Sequence, residues 1–239
     1  MSSWPVILAA VVVAIGLVVS VNYILPWIVR KRAEQRLQSL CQADRAVVLT
    51  YDDGPGEHLT TALLDLLDSE GVKASFYMLG ERITAHPTIV RDAISRGHDV
   101  GAHGERHVNA WYSSPMTTAQ DFDAGRRTVA SVGGNAAMFR PPYGKLTLVQ
   151  WLIERQHGSK LGWWSVDSRD SWDRRPISDV VDEVIAARGG VVLMHDYDRY
   201  DAGDADVSHH DHVLSLTRSI ITAARGANLR IVPMSALQS

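Results

Sequence analysis

Five short stretches of this 239-residue chain combine acidic, basic and histidine side chains in patterns that could carry out hydrolysis. They are Thr50–Pro55, His103–His107, Arg140–Gly144, Trp163–Trp172 and Leu193–Asp196. The i, i+4 spacing of His103 and His107 would let one helical turn aim both imidazoles at one point. A carboxylate beside them would complete a three-ligand metal site with one position left for water, which is the arrangement of catalytic zinc.

Two adjacent aspartates, Asp52 and Asp53, could divide the remaining work. One would bind a metal while the other accepts a proton from water, and a separate His195 could protonate a leaving group. Each motif also has a plainer interpretation as a turn, a rigid proline loop or a hydrogen-bonded core histidine. Their occurrence in order, each at the end of a predicted strand, favours an active site.

The elements that must position these residues follow from the apolar pattern. Strands are predicted where short runs are rich in Val, Leu and Ile, or are bounded by Gly and Pro, at 46–51, 74–79, 99–102, 137–140, 160–166, 190–194 and 230–232. Helices are predicted near 58–70, 86–97, 117–132, 146–157, 178–188 and 211–225. This alternation predicts an α/β fold, most simply a barrel-like array of βα units, whose chemistry collects at the C-terminal ends of the strands.

The composition narrows the classes of function. Hydrophobic residues make up 46% and charged residues 21% of the chain, which excludes a disordered protein. The formal net charge of −3 speaks against a basic nucleic-acid binder, so no nucleic-acid partner is expected. Cys41 is the single cysteine, which excludes intrachain disulfides and cysteine-based zinc sites.

An apolar N-terminal segment predicts a membrane anchor. Residues 6–29 contain no ionisable side chain except Tyr23, and a helix of this length crosses the roughly 30 Å hydrocarbon core with some tilt. Trp4 and Trp27 lie near its ends, where aromatic belts are expected. A cleaved signal peptide would have a basic start and a shorter apolar core, so an uncleaved anchor is favoured. A buried core helix is disfavoured because the run is apolar on all sides.

A basic stretch follows the predicted span and sets two further expectations. It contains Arg30, Lys31, Arg32 and Arg36. By the positive-inside rule these residues place the C-terminal domain in the cytoplasm, unless they only bind lipid headgroups. We therefore expect an anchor with its juxtamembrane segment over 1–42 and one catalytic domain over 43–239.

Taken together, the five motifs resemble those of the NodB-homology polysaccharide deacetylases, carbohydrate esterase family 4, over nearly all of residues 44–235. Thr50–Pro55 is similar to the family's T-F-D-D-G-P, His103–His107 to H-[S/T]-x-x-H with Gly104 at the second position, and Arg140–Gly144 to R-x-P-Y-G. Asp167–Trp172 resembles D-x-x-D-W with Ser171 added, and Leu193–His195 resembles L-x-H.

The resemblance implies a distorted (β/α)7-type barrel and metal-dependent deacetylation. It implies that Asp52 is the general base, that Arg140 orients and charge-balances it, and that the Tyr143 backbone N–H helps to hold the oxyanion. The implied cofactor is one divalent metal, with zinc favoured and cobalt, nickel and iron(II) left open. The implied metal ligands are Asp53, His103 and His107.

The resemblance also implies which residues act on the leaving group. His195 would be the general acid, tuned by Asp170 or else by Asp167, while Trp172 and Leu193 would line the acyl pocket. The expected reaction is removal of an N-acyl group, acetyl foremost, from an amino sugar of a glycan or of a lipid-linked sugar precursor. The alternatives are O-deacetylation of a cell-wall polymer and a membrane-tethered glycan-binding protein without turnover.

Two regions outside the motifs have more than one possible role. The stretch 196–212 is expected to be a solvated loop rather than a second metal site. Trp111 and Tyr112 could stack on sugar rings or pack within an exposed loop.

Overall fold

A computed structural model describes residues 3–201, 204–205 and 207–237. The helices are α1 (Trp4–Asp44), α2 (Leu59–Ser69), α3 (Gly80–Ala85), α4 (Pro87–Ser95), α5 (Pro115–Ser131), α6 (Leu148–Gln156), α7 (Ile177–Ala186), α8 (Val207–Gly226) and α9 (Met234–Leu237). The strands are β1 (Ala46–Asp52), β2 (Ser75–Met78), β3 (Asp99–Ala102), β4 (Met138–Phe139), β5 (Lys160–Leu161), β6 (Val166–Asp167), β7 (Gly190–His195), β8 (Tyr200–Asp201), β9 (Asp204–Ala205) and β10 (Arg230–Ile231).

A parallel sheet forms the centre of the fold. Its strands lie in the order β5-β4-β3-β2-β1-β7-β6, and β10 pairs with the start of β1. All seven residues of β1 are buried, as are five of the six residues of β7. Strands covered on both faces carry continuous apolar runs, which is why the sequence pattern located them. Because the pairings are parallel, the carboxyl ends of the strands meet on one rim.

The predicted strand over 160–166 is wrong, because the structure divides it into β5 and β6 at opposite ends of the sheet order. Residues 162–165 cross from one end of the sheet to the other. The carbonyl of Gly162 accepts a hydrogen bond from Arg140 Nε at 2.6 Å, and the N–H of Ser165 donates to a carbonyl of β7 at 3.0 Å. This crossing connects the two end strands of the sheet, and the predicted distorted α/β barrel is confirmed as a parallel half-barrel.

The N-terminal helix has two different halves. Residues 3–19 are exposed, whereas Pro26, Leu37 and Cys41 are buried. Within the described chain, α1 is the one helix long and apolar enough to cross a membrane, a criterion of length and composition that a signal sequence also meets. Its most apolar window is 0% buried, which excludes a core helix there. The second half packs against β1, β7 and α6 and adds Leu37 and Cys41 to the hydrophobic core.

The helix predicted near 86–97 is confirmed as α4. Pro87 stands at the start of α4 and fixes the backbone angle that a first helical residue needs, so it begins a new helix. The sequence pattern missed α3, which is only six residues long.

The loop predicted over 196–212 is wrong at both of its described ends. Helix α8 begins at Val207, and Asp196 is fully buried. The carboxylate of Asp198 accepts hydrogen bonds from the backbone N–H groups of His58 and Leu59, both at 2.9 Å, so this acidic residue caps the start of α2. Residues 202–203 and 206 of the predicted loop lie outside the described residues.

Candidate active site

The site lies on the rim where β1 and β7 end. Asp52 is the last residue of β1 and pairs in register with His195, the last residue of β7. Adjacent strand ends therefore bring the predicted base and the predicted acid together. Asp53 follows β1 with a left-handed backbone of φ 69°, which turns its side chain out of the strand direction.

Three of the predicted residues form a compact cluster of metal-ligand atoms. Asp53 Oδ1 lies 3.4 Å from His103 Nε2 and 3.2 Å from His107 Nε2. The ligand atoms of all three residues fall within 4.8 Å of one another. The helical turn expected between the two histidines is absent from this described loop, where Gly104 has φ 82° and His107 has φ 59°. These left-handed positions bend the loop so that both imidazoles reach the same oxygen.

The chemistry of this cluster fits a divalent cation. Asp53 Oδ1 is buried, and no described group hydrogen-bonds to it. His103 Nδ1 lies 2.8 Å from the Arg140 carbonyl, which favours a proton on Nδ1 and leaves a lone pair on Nε2. A buried oxygen and imidazole nitrogens facing one point are the donor set that zinc prefers.

The electrostatics of the cluster agree with this assignment. Burial lowers the pKa of His107 to about 4 despite the nearby Asp53, so the ring is neutral and able to ligate. Burial alone would raise the pKa of Asp53, but His103 and His107 outweigh it and hold that pKa below its usual value. Burial also opposes protonation of His103, yet Asp52 and Asp53 raise its pKa. The electrostatic environment of these residues therefore favours a positive charge bound between them.

A buried arginine holds the second aspartate. Arg140 is 0% exposed, and its Nη1 donates to Asp52 Oδ1 at 2.6 Å and to Thr50 Oγ1 at 3.0 Å. Its Nε donates to the Gly162 carbonyl at 2.6 Å, and its guanidinium lies 4.2 Å from the centre of the Tyr77 ring. These contacts fix the orientation of the Asp52 carboxylate.

The predicted acid is held by one of the two aspartates that the sequence left open. Asp170 Oδ1 lies 2.9 Å from His195 Nδ1, and its Oδ2 accepts from the His195 backbone N–H at 2.9 Å. Ser168 Oγ donates to Asp170 at 2.8 Å. Asp167 instead accepts from the backbone N–H of Arg169 at 2.9 Å. Burial opposes a charge on His195, but Asp170 outweighs it and raises the pKa of His195 to about 10.

The cavity around these groups has a volume of about 560 Å3, which is within the usual range for a ligand site. Leu193 is buried in its wall, whereas Trp172 is 71% exposed at its rim with the Arg169 guanidinium 5.3 Å from its ring. Tyr143 has a left-handed backbone of φ 58°, and no described residue accepts a hydrogen bond from its N–H. Its ring lies 4.3 Å from that of His107.

Sequence reasoning missed several residues of the site. Thr50 and Ser168 lie within the quoted motifs and orient Arg140 and Asp170, so their position was the signal that could have found them. Lys145 and Tyr197 also line the cavity, and nothing in their sequence context distinguished them.

The N-terminal helix also reaches the site. Arg30 Nη1 donates to the Gly144 carbonyl at 2.5 Å, and its guanidinium lies 4.5 Å from the centre of the Trp164 ring. Trp164 lines the cavity. Trp111, considered above for sugar stacking, instead packs at 5.7 Å against Tyr23 of the same helix.

Comparison with known proteins agrees with the five motifs. The polysaccharide deacetylase family model matches residues 39–162. A chitooligosaccharide deacetylase of Rhizobium leguminosarum bv. trifolii is 33% identical over an alignment of 204 residues that covers 80% of this chain and 91% of that protein. The peptidoglycan-N-acetylglucosamine deacetylase PgdA of Listeria monocytogenes is 31% identical over an alignment of 173 residues that covers 70% of this chain but 36% of that longer protein.

Solved structures share the fold. A family 4 carbohydrate esterase from Streptomyces lividans in complex with acetate superposes with a TM-score of 0.67 and 26% identity, covering 81% of this chain and 94% of that one. The family resemblance that the motifs predicted is therefore confirmed.

Proposed function

The chain belongs to the polysaccharide deacetylase family, and from this membership we propose that it removes N-acetyl groups from N-acetylglucosamine units of a glycan. The names of the relatives, a chitooligosaccharide deacetylase and a peptidoglycan-N-acetylglucosamine deacetylase, support this substrate class. The reaction is hydrolysis of an amide, with acetate and a free amine as products.

One observation carries the proposal: a carboxylate and an imidazole, each held by its own buried partner, face one cavity. Arg140 holds Asp52 from behind, and Asp170 holds His195. A carboxylate positioned to accept a proton and an imidazole positioned to donate one are the requirement for general base and general acid catalysis in one site.

This geometry supports the following roles for the residues. Asp52 accepts a proton from the attacking water, whose oxygen forms the new bond to the acetyl carbon. The Tyr143 backbone N–H donates to the oxygen that gains negative charge, which is commonly the largest catalytic contribution. His195, protonated because Asp170 stabilises its imidazolium, donates its proton to the departing amine nitrogen as the C–N bond breaks. An amide nitrogen must be protonated in order to leave. For this reason we propose N-deacetylation rather than O-deacetylation as the reaction.

A divalent cation would be held by Asp53, His103 and His107. When bound, it supplies Lewis-acid polarisation of the scissile carbonyl and lowers the pKa of water. Zinc is the first candidate because two imidazoles and a carboxylate suit it, with cobalt, nickel and iron(II) as alternatives. Leu193 and the rim residue Trp172 would contact the acetyl group and the sugar.

We further propose that the protein is membrane-anchored through residues 6–29, with the basic residues from Arg30 onward on the cytoplasmic side. A lipid-linked amino-sugar precursor is then the narrower substrate. The proposed division at residues 42 and 43 separates sequence regions rather than packing units, because Leu37 and Cys41 lie in the hydrophobic core. The experiments below therefore use the full chain.

The test measures acetate release by the full chain in lipid nanodiscs. The substrates are chitotetraose, peptidoglycan and polyprenyl-phosphate-linked N-acetylglucosamine, each with and without chelator. We expect chelator-sensitive release that is restored by zinc and lost in Asp52→Asn. The matched control is Asp65→Asn, because that aspartate is 67% exposed and lies outside the cavity. Release of acetate from O-acetylated polymers alone would favour the esterase alternative, and binding without turnover would favour the inactive glycan-binding alternative.

A further inference from the structure

An exposed apolar surface continues from α1 onto the catalytic domain. Tyr112 and Met116, just before and at the start of α5, are 82% and 68% exposed, and Val149 and Leu152 of α6 are exposed as well. Large apolar side chains that cluster on a protein surface mark a site of interaction with another protein or with a membrane. These four residues, together with the exposed Trp27 of α1, are called the apolar face below.

The residues of the apolar face lie on segments that are joined to one another. The Gln150 side chain donates to the Pro115 carbonyl at 2.8 Å, which links the start of α6 to the start of α5. Trp111 Nε1 donates to the Leu146 carbonyl at 3.1 Å, and the Trp111 ring packs edge-on against Tyr23 of α1. Helices α1 and α6 also pack against each other. The apolar face is therefore one surface rather than a set of scattered residues.

The fully exposed part of α1 is too short to fill a bilayer by itself. Residues 3–19 are exposed and extend about 25 Å at 1.5 Å per residue, which is less than the roughly 30 Å of the hydrocarbon core. From residue 20 onward the helix is covered on one side, where Pro26 is buried, whereas Val21 and Ile24 stay exposed. A bilayer around α1 would therefore continue along these residues and reach the adjoining domain surface.

The charges around the apolar face suit the surface of a bilayer. No aspartate or glutamate occurs in residues 4–33, 108–120 or 141–153, the three segments that supply the face. Cations do occur there, among them Arg32 and Lys145, whose Nζ lies 4.7 Å from the centre of the Trp111 ring. Tyrosine and tryptophan are enriched in the headgroup region of bilayers, and anionic lipids attract neighbouring cations. The composition therefore favours an anionic lipid surface as the partner of this face.

We propose that the apolar face inserts into the headgroup and upper acyl region of the bilayer, so that the catalytic domain binds the membrane in addition to α1. The proposal rests on the proposed membrane anchoring and deepens it, because it fixes the orientation of the domain on the lipid. Lys145 also lines the catalytic cavity, so this orientation places the cavity next to the membrane surface.

The test measures the depth of nitroxide spin labels in the full chain, reconstituted in nanodiscs of phosphatidylcholine and phosphatidylglycerol. Cys41 is the single cysteine and is buried, so an introduced surface cysteine can be labelled by itself. The labelled variants are Met116→Cys and Leu152→Cys. The matched control is Ser131→Cys, an exposed position at the far end of α5, about 22 Å from Met116 along the helix.

Depth is obtained from the accessibility of each label to oxygen and to a water-soluble nickel chelate. We expect the labels at 116 and 152 to lie about 5–10 Å below the lipid phosphates, as for an inserted amphipathic surface, and the label at 131 to lie in water. Adding Val149→Asp and Leu152→Asp should move the label at 116 into water, whereas adding Ser131→Asp should leave its depth unchanged.

Labels at 116 and 152 that are as accessible to the nickel chelate as the label at 131 would overturn the proposal. Dipolar broadening between labels at these positions would also overturn it, because a second copy of the chain would then cover the face. Val12→Cys separates this failure from failure of the anchor, since a label at 12 within the hydrocarbon leaves the anchor intact. Acetate release by the same samples tests the proposed deacetylation independently, because none of the substituted residues lines the catalytic cavity.

Discussion

Replacing Arg140 by methionine should destabilise the protein more than replacing Arg140 and Asp52 together. The guanidinium is fully buried and donates to Asp52 Oδ1 at 2.6 Å, to Thr50 Oγ1 at 3.0 Å and to the Gly162 carbonyl at 2.6 Å. Methionine keeps an unbranched apolar stem but removes these three donors. Because Asp52 is 3% exposed, its charge would then be buried without its arginine partner.

The magnitude follows from the asymmetry of buried ion pairs. Removing one partner of such a pair costs about 3–5 kcal/mol, mostly because the other charge is left uncompensated. A domain of this size loses roughly 2–4 °C in Tm per kcal/mol, so Arg140→Met should lower Tm by about 6–20 °C. Adding Asp52→Asn removes the uncompensated charge, so the double variant should recover about 2 kcal/mol relative to Arg140→Met alone.

Thermal and urea unfolding of the detergent-solubilised full chain would measure these differences, with chelator present so that metal binding adds nothing to the folded state. Arg127→Met is the control, because that arginine is 69% exposed and pairs with Asp123 on the surface. Its effect should stay within about 0.5 kcal/mol. The reasoning is refuted if the double variant is at least as unstable as Arg140→Met, because Asp52 would then carry no uncompensated charge.

Three further predictions concern the cluster, the acid and the N-terminal helix. His107→Ala should abolish stoichiometric zinc binding, measured by titration calorimetry, and retained tight binding would place the metal elsewhere. Asp170 outweighs burial and raises the pKa of His195 from about 6.5 to about 10, so the metal-free fold should lose stability as pH rises between these values. Asp170→Asn should flatten that decline in urea midpoints, and an unchanged slope would contradict the pairing. Leu37→Ala should lower the free energy of unfolding in urea by about 2–5 kcal/mol because its side chain is buried. Arg32→Ala should change it by no more than about 0.5 kcal/mol. Equal effects of the two substitutions would exclude α1 from the core.

The sheet was predictable because its central strands are buried on both faces. The strand predicted over 99–102 has the observed bounds, and the one over 46–51 is short by a single residue. Such strands are largely apolar, so their carboxyl ends are visible in the sequence as the point where polar residues become frequent. Since the candidate site residues stand at these points, both the location of the site, at the carboxyl ends of the strands, and most of its residues could be predicted from the sequence.

The remaining features depend on contacts between residues far apart in the chain. Nothing in the sequence of residues 160–166 indicates that the strand is interrupted at Gly162, whose carbonyl accepts a hydrogen bond from Arg140. The spacing of His103 and His107 suits a helix as well as a loop, and only the left-handed turns settle which. Likewise, local spacing allowed either Asp167 or Asp170 to hold His195, and the packing of Ser168 on β7 chooses between them.

The N-terminal helix shows how a composition boundary can differ from a structural one. Hydropathy changes at Arg30, which suggests that a membrane segment ends there and a tether begins. In the structure the same helix continues to Asp44, contributes Leu37 and Cys41 to the core and bonds to Gly144 through Arg30. At about 1.5 Å per residue, the helix from Arg30 to Gln38, both of which bond to the barrel, extends only roughly 12 Å from the end of the apolar run. With the exposed first part of α1, residues 3–19, in a bilayer, the catalytic cavity would be held close to the membrane surface by rigid helix rather than by a flexible linker, which favours a glycan presented at that surface.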